Sequence, residues 1–208
     1  MDKKIEILLK NWQKRNIQGV YCSGKTAGIN KILEMVPLSA TVGISGSVTL
    51  DELAIVKELE SRGNRVFNQY QPALSREDSL KIRREGANAD YYLTGVNAIS
   101  QKGELVFFSA YGNRTAGISY AKNVIVVSGI NKITPDITSA LKRVREYATP
   151  LNCKRLNYNT PCFAEGICQE GICLFPEYKR MCCQILIIEA EVTPARLRVI
   201  LVGEELGF

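Results

Sequence analysis

Five of the chain's seven cysteines fall between Cys162 and Cys183, and the chain has no histidine. They run Cys162, Cys168, Cys173 and Cys182, with Cys183 beside the last. Thiolates are soft ligands that suit zinc, Cu(I) and iron–sulfur clusters. Without histidine there can be no Ser–His or Cys–His nucleophile pair, no imidazole base and no mixed Cys/His zinc site. The spacing is neither the paired CxxC of zinc ribbons nor the regular run of bacterial ferredoxins. Pro161, Gly166 and Gly171 supply turns that could wrap the chain around an ion. The cysteines therefore read as a four-thiolate site, taken as Cys162, Cys168, Cys173 and Cys182, with one of the adjacent Cys182 and Cys183 a bystander and Cys22 and Cys153 packing residues. Buried structural thiols or an oxidative crosslink would account for the same residues without a metal.

A second set of residues could hold an anion. Thr41 to Thr49 reads as strand, Gly/Ser turn and helix start, with Gly43, Ser45, Gly46, Ser47 and Thr49 offering backbone amides and hydroxyls. It matches neither a Walker A loop nor the dinucleotide glycine fingerprint. The plainer reading is a tight turn with Ser47 or Thr49 capping the helix. Asn97, then Gly112-Asn113-Arg114, stand at a strand end and a helix start, where a guanidinium fork could hold a carboxylate or phosphate. As ordinary structure, Asn97 is a turn residue, Asn113 an N-cap and Arg114 a surface charge. Asn131 and Lys132 follow a buried strand. Lys132 there could pair with an anion or, if desolvated, act as a base; a solvated loop lysine is the alternative.

Alternating elements position these residues. Ile5, Leu8, Leu9 and Trp12 form the apolar stripe of a first helix. A strand at 19–21, a helix at 27–35 and a strand at 40–45 follow. Thr49 to Glu52 reads as a capping box, with Leu50, Leu53, Val56 and Leu59 on one helical face ended by Gly63. Val66-Phe67 is strand-like, 75–86 a polar helix, 90–93 a strand, 94–100 a turn and 105–108 a strand. A short helix starts at 112–114. The β-branched run 123–128 marks a strand buried on both faces, and Pro135-Asp136 opens a helix with Ile137, Leu141 and Val144 inward. Periodicity fails over 149–183, the cysteine segment, before two final strands at 184–189 and 196–202. The alternation predicts one α/β domain over 1–208, with a mainly parallel open sheet and helices on both faces. Ligands of such sheets bind outside the carboxyl ends of the strands.

At 208 residues the chain can bury a substantial core. Its net charge of +6 is scattered rather than gathered in one tract, and aromatics do not interleave with it, so nucleic-acid binding is not indicated. Nothing after Met1 reads as a secretory signal, and the longest apolar runs are too short to span a bilayer. A cytoplasmic location is expected, where clustered cysteines more often bind metal or do redox chemistry than form disulfides.

The ordered set Ser45-Gly46-Ser47-Val48-Thr49-Leu50, Ala89-Asp90, Asn97-Ala98-Ile99, Gly103 to Val106 and Gly112-Asn113-Arg114 resembles LUD-domain proteins, the lactate-utilisation family. Val126 to Ile133, Arg143, Pro150, Pro161-Cys162, Gly166-x-Cys168 and Val202 to Gly207 extend the resemblance over nearly the whole chain. It implies a fold like that of the ribose-phosphate isomerase, glucosamine-phosphate deaminase and CoA-transferase superfamily. It also implies a part in oxidising lactate or a related small hydroxy acid, alongside iron–sulfur partner proteins. An isomerase- or transferase-like enzyme acting on a phosphorylated or CoA-linked molecule, and a ligand-binding scaffold with structural zinc, are the alternatives. Relatives with a cysteine-rich tail place two residues between the second and third cysteines, where Cys168 and Cys173 here enclose four. On this resemblance an iron–sulfur cluster is the first choice of metal and zinc the second. The expected partners are an anionic small molecule, iron–sulfur proteins and, for a symmetric assembly, a second copy of the chain.

Overall fold

The computed structural model describes residues 2–208. Asp2 caps helix α1 (Lys3–Lys14) by accepting from the Lys4 amide at 2.9 Å, and Ile5, Leu8 and Trp12 are its buried face. The chain continues through β1 (Gln18–Cys22), α2 (Lys25–Met35), β2 (Val42–Ile44), α3 (Val48–Glu52), α4 (Ile55–Ser61), β3 (Val66–Phe67), α5 (Arg76–Ala87) and β4 (Tyr91–Gly95). Then come β5 (Ala98–Ser100), β6 (Leu105–Ser109), α6 (Asn113–Tyr120), β7 (Asn123–Gly129), β8 (Ile133–Thr134), α7 (Ile137–Arg143), α8 (Thr149–Arg155), α9 (Pro161–Glu165), β9 (Gln184–Ile188) and β10 (Leu197–Val202).

Six strands form one wholly parallel sheet in the order β1-β10-β7-β4-β2-β3. Central β7 is buried on both faces, as its β-branched run predicts. Val124 and Val126 pack into the core layer containing Trp12, Tyr92 and Ile118, whereas Ile125 and Val127 pack opposite, with Ile32, Leu50 and Ile55. The mainly parallel α/β architecture expected from the alternation is present.

The sequence did not announce the second sheet, ordered β8-β5-β6-β9. Ile99, Leu105 and Phe107 join the Trp12 layer, while Ala98, Val106 and Phe108 pack on Ala140 and Val144 behind them. One face of the parallel sheet is thus covered partly by a small sheet that carries its own helix. The strands expected at 105–108 and 184–189 belong to this second sheet. The predicted turn at 94–100 is instead the end of β4, a crossing at Val96-Asn97, and β5.

Two other expectations change. Ser47, not Thr49, caps α3, accepting from the Leu50 amide at 3.4 Å. The single helical face through Leu59 is broken at Ala54, whose φ of 49° is left-handed and starts a new helix. The cysteine segment is also more ordered than its lost periodicity suggests. α7 runs without interruption through a π-helical turn, Val144–Ala148, into α8. An inserted π turn shifts the residues beyond it onto a different face, which defeats a 3.6-residue pattern.

Candidate functional site

All six strands of the main sheet point the same way, so the loops after β2, β4 and β7 gather at one edge. The exits from β4 and β7 both cross into the second sheet, where Ile99 of β5 pairs in parallel with Ile133 of β8. Arg143 clasps the two crossings, donating to the Asn97 carbonyl at 2.8 Å and the Asn131 carbonyl at 3.2 Å. A cleft of about 320 Å³ opens between these crossings, the loop after β2, the start of α6 and the helix α8.

Lys132 forms part of its floor and is only 3% exposed. Its Nζ donates to Thr49 Oγ1 at 2.7 Å and to the Val96 carbonyl at 3.1 Å. Burial, reinforced by the Arg143 and Arg114 charges and opposed by Glu52, pushes its pKa down to about 7. The two bonds account for both hydrogens of a neutral amine and leave the lone pair to take a proton. Such a lysine can serve as a general base, or as an ammonium to an anion that raises its pKa.

Arg114 ties three segments together. Nη1 donates to Asn97 Oδ1 at 2.9 Å and to the Phe108 carbonyl at 3.2 Å, and Nη2 donates to the Gly46 carbonyl. Asn97 Oδ1 also accepts from the Phe108 amide at 2.9 Å. Burial lowers the Arg114 pKa from its ordinary value, but an arginine stays charged at physiological pH. Ser45 Oγ stands 2.6 Å from Thr94 Oγ1, which donates to the Gly95 carbonyl at 2.9 Å. The serine hydroxyl thus supplies the proton between the two side chains and keeps acceptor capacity. Gly46 lacks a side chain where one would meet the Tyr70 hydroxyl, since a Cβ would lie 2.2 Å from it.

Of the anion-site candidates, Ser45, Gly46, Ser47, Asn97, Asn113, Arg114 and Lys132 line the cleft. Gly43, Thr49, Gly112 and Asn131 do not. A Cβ on Gly43 would sit 1.9 Å from the Gly86 carbonyl oxygen, so this glycine permits α5 to lie against β2. Thr49 stands behind Lys132 as its hydrogen-bond acceptor. Gly112, with φ of 80°, is the left-handed residue before α6, so Asn113 is not the cap. Asn131 holds the chain's last residues, donating to the Gly207 carbonyl at 3.0 Å and accepting from the Leu206 amide at 3.2 Å.

The cleft also contains residues that the sequence reading passed over, chiefly Tyr70, Arg83, Tyr111, Arg155 and Tyr158. Its wall thus carries three arginines, Arg83, Arg114 and Arg155, the titratable Lys132, and no Asp or Glu side chain. Among the described residues none of the four lies within 4.0 Å of a carboxylate.

A smaller cavity of about 10 Å³ adjoins the cleft, lined by Cys153, Cys162, Cys168, Cys173 and Cys182. The four proposed ligands thus converge, and Cys153 from α8 joins them rather than packing elsewhere. Cys183 is exposed and its thiol donates to the Arg180 carbonyl at 2.9 Å. Burial pushes Cys153 up to about 12 and raises Cys168 and Cys173, so these are neutral thiols unless a cation displaces their protons. Glu170 pins the loop to the helix through Arg145 and to the loop's own later residues through Arg180 at 2.9 Å. As placed, no three potential ligands among the described residues are grouped closely enough to hold an ion. The donor set is nonetheless chemically right for a soft metal. Cys182, Met181 and Thr149 line both cavities, which makes the cysteines and the cleft neighbours. Among the described residues no helix is long and apolar enough to cross a membrane.

No curated protein matches the chain. Among solved structures, the chain is similar to a DUF162 family protein from Deinococcus radiodurans. Identity is 15%, the TM-score is 0.51, and the match covers 98% of this chain and 100% of the other. It is also similar over part of its length to ribose 5-phosphate isomerase A from Methanocaldococcus jannaschii, with 13% identity, TM-score 0.36 and coverage of 62% and 66%. The corresponding enzyme from Neisseria gonorrhoeae gives 15%, 0.37, and 66% and 70%. The likeness to the DUF162 protein shows a shared fold. The LUD domain model matches residues 5–202, nearly the full length, and the chain belongs to that family.

Proposed function

We propose that the cleft binds the carboxylate of a small hydroxy acid, lactate or a relative, and that the protein takes part in its oxidation. The observation that carries this reading is a cleft wall with three arginines and no acidic side chain, floored by a lysine whose pKa is close to neutral. A bound anion is the natural counter-charge for such a wall. Membership of the LUD family supports the choice of a hydroxy acid.

Oxidation of a hydroxy acid to an oxo acid releases two electrons and two protons, for which electron-carrying partner proteins and the solvent would be the acceptors. As an ammonium in the complex Lys132 would hold the carboxylate together with Arg114, and Asn97 would orient it. Cys162, Cys168, Cys173 and Cys182, with Cys153 beside them, would hold an iron–sulfur cluster, which supplies one-electron transfer when bound. A second reading has its own observation. At about 10 Å³ the thiol cavity is nearer the size of a single ion than of a cluster, which favours structural zinc in a ligand-binding scaffold once the thiols close on it.

Calorimetric titration with L-lactate at pH 8, in buffers of different protonation enthalpy, tests the cleft. Binding should be accompanied by proton uptake, because an anion beside Lys132 raises its pKa. No binding of lactate or glycerate, or binding without proton uptake, would remove the assignment. Metal and sulfide analysis of anaerobically purified protein separates the readings: iron with sulfide supports the redox role, and stoichiometric zinc supports the scaffold.

A further inference from the structure

A three-carbon hydroxy acid uses only part of this cleft. Its volume of about 320 Å³ lies at the lower end of the range for pockets that enclose drug-sized ligands, roughly 300–1,000 Å³. The cationic groups also lie at different depths. Lys132 is 3% exposed at the floor, with Arg114 tied to the strand ends around it. Arg83 comes from α5 and lies 5.8 Å from the Tyr70 ring and 5.3 Å from the Tyr111 ring. Those tyrosines are 52% and 57% exposed, so they mark the mouth. Exposed Arg155 lies at the mouth too, held by Asn152 Oδ1 at 3.0 Å.

Arg83 is the telling residue. Its Nε is buried and, among the described residues, has no hydrogen-bond partner. A buried donor left unpaired is uncommon; since Nε is closed to water, a ligand in the cleft would meet the terminal nitrogens of Arg83, which lines it. The flanking rings fix the guanidinium plane without satisfying its donors, since a ring face offers only a weak acceptor. Arg83 lies beyond ion-pair distance of every carboxylate among the described residues. A guanidinium that lines a cavity without a carboxylate partner suits a planar carboxylate or a phosphate.

Resting on the proposed hydroxy-acid site, we infer that the ligand is a dianion. One carboxylate lies at the Lys132–Arg114 floor, and a second anionic group, carboxylate or phosphate, is held by Arg83 and Arg155 at the mouth. The tyrosines would border the carbon chain between them. On this assignment lactate is a truncated ligand that leaves the outer pair empty.

The test is equilibrium binding of three probes to the full chain: glycerate, malate and 3-phosphoglycerate. Malate or 3-phosphoglycerate should bind at least tenfold more tightly than glycerate, and whichever does so identifies the second anion. In Arg83→Gln that preference should fall to under threefold, with Arg83→Lys recovering part of it. Arg155→Gln, at an exposed position, gives an independent reduction if Arg83→Gln proves unstable. Equal binding of all three probes, or an unchanged preference in both Gln variants, overturns the outer pole and leaves the hydroxy-acid reading standing. Failure of every probe to bind overturns that reading as well.

Discussion

Replacing Lys132 by Met keeps the length and apolar volume of the buried stem while removing the amine. The structure fixes how the effect should vary with pH. In the folded chain Lys132 titrates at about 7, and in the unfolded chain near the ordinary value of about 10.4. Below pH 7 the lysine is charged in both states and adds no pH dependence. Between pH 7 and 10 the unfolded chain holds one more proton, so stability rises with pH. The slope from this one group approaches about 1.4 kcal/mol per pH unit, accumulating to roughly 4 kcal/mol over that window. Lys132→Met lacks this term. The lost bonds to Thr49 and Val96 add an offset that does not vary with pH. Urea unfolding of both proteins at pH 7, 8, 9 and 10 should therefore give a stability difference that moves steadily in favour of the native lysine as pH rises. Groups that titrate alike in the two chains cancel. A difference constant within about 0.5 kcal/mol across the window would show that Lys132 is charged in the fold, and the proton uptake expected on anion binding would fall with it.

Two further substitutions probe the scaffold. Gly43→Ala should destabilise by about 3 kcal/mol or more, because its Cβ would meet the Gly86 backbone at 1.9 Å, whereas Gly46→Ala meets only the end of the half-exposed Tyr70 and should change stability by less than about 1 kcal/mol; similar unfolding midpoints would contradict this. Arg114→Lys cannot serve Asn97, Phe108 and Gly46 together, so glycerate affinity should drop at least tenfold, about 1.4 kcal/mol, and the melting temperature should fall. An Arg114→Lys protein with unaltered binding would show that the fork is dispensable.

The legible parts of this molecule were those whose neighbours lie close in sequence. β7 declared itself by an unbroken β-branched run, and Ser45, Asn97, Arg114 and Lys132 sit at strand or helix ends where an open α/β sheet collects its ligands. Arg83 gave no such sign, because it is one basic residue among several on a polar helix and gains its role only from Tyr70 and Tyr111, brought up by other loops. Val96 and Asn97 looked like turn residues because a chain crossing between two sheets has the local chemistry of a turn. Cys153 read as filler because its partners lie beyond the next loop, and its own helix continues through a π turn that hides its phase.

That π turn makes the long helix behave as two joined instruments. Ala140 before the turn and Val144 at its start are seated in the back of the second sheet. Beyond it, Thr149 and Asn152 look onto the cleft, and Thr149 and Cys153 onto the thiol cavity. An ordinary α-helix of this length would present one continuous stripe, but the extra residue re-aims the second half without a loop. Cleft and cysteines are consequently lined from one short stretch, Thr149 to Cys153, of a continuous helix, so whatever fills either cavity bears on residues the other also touches.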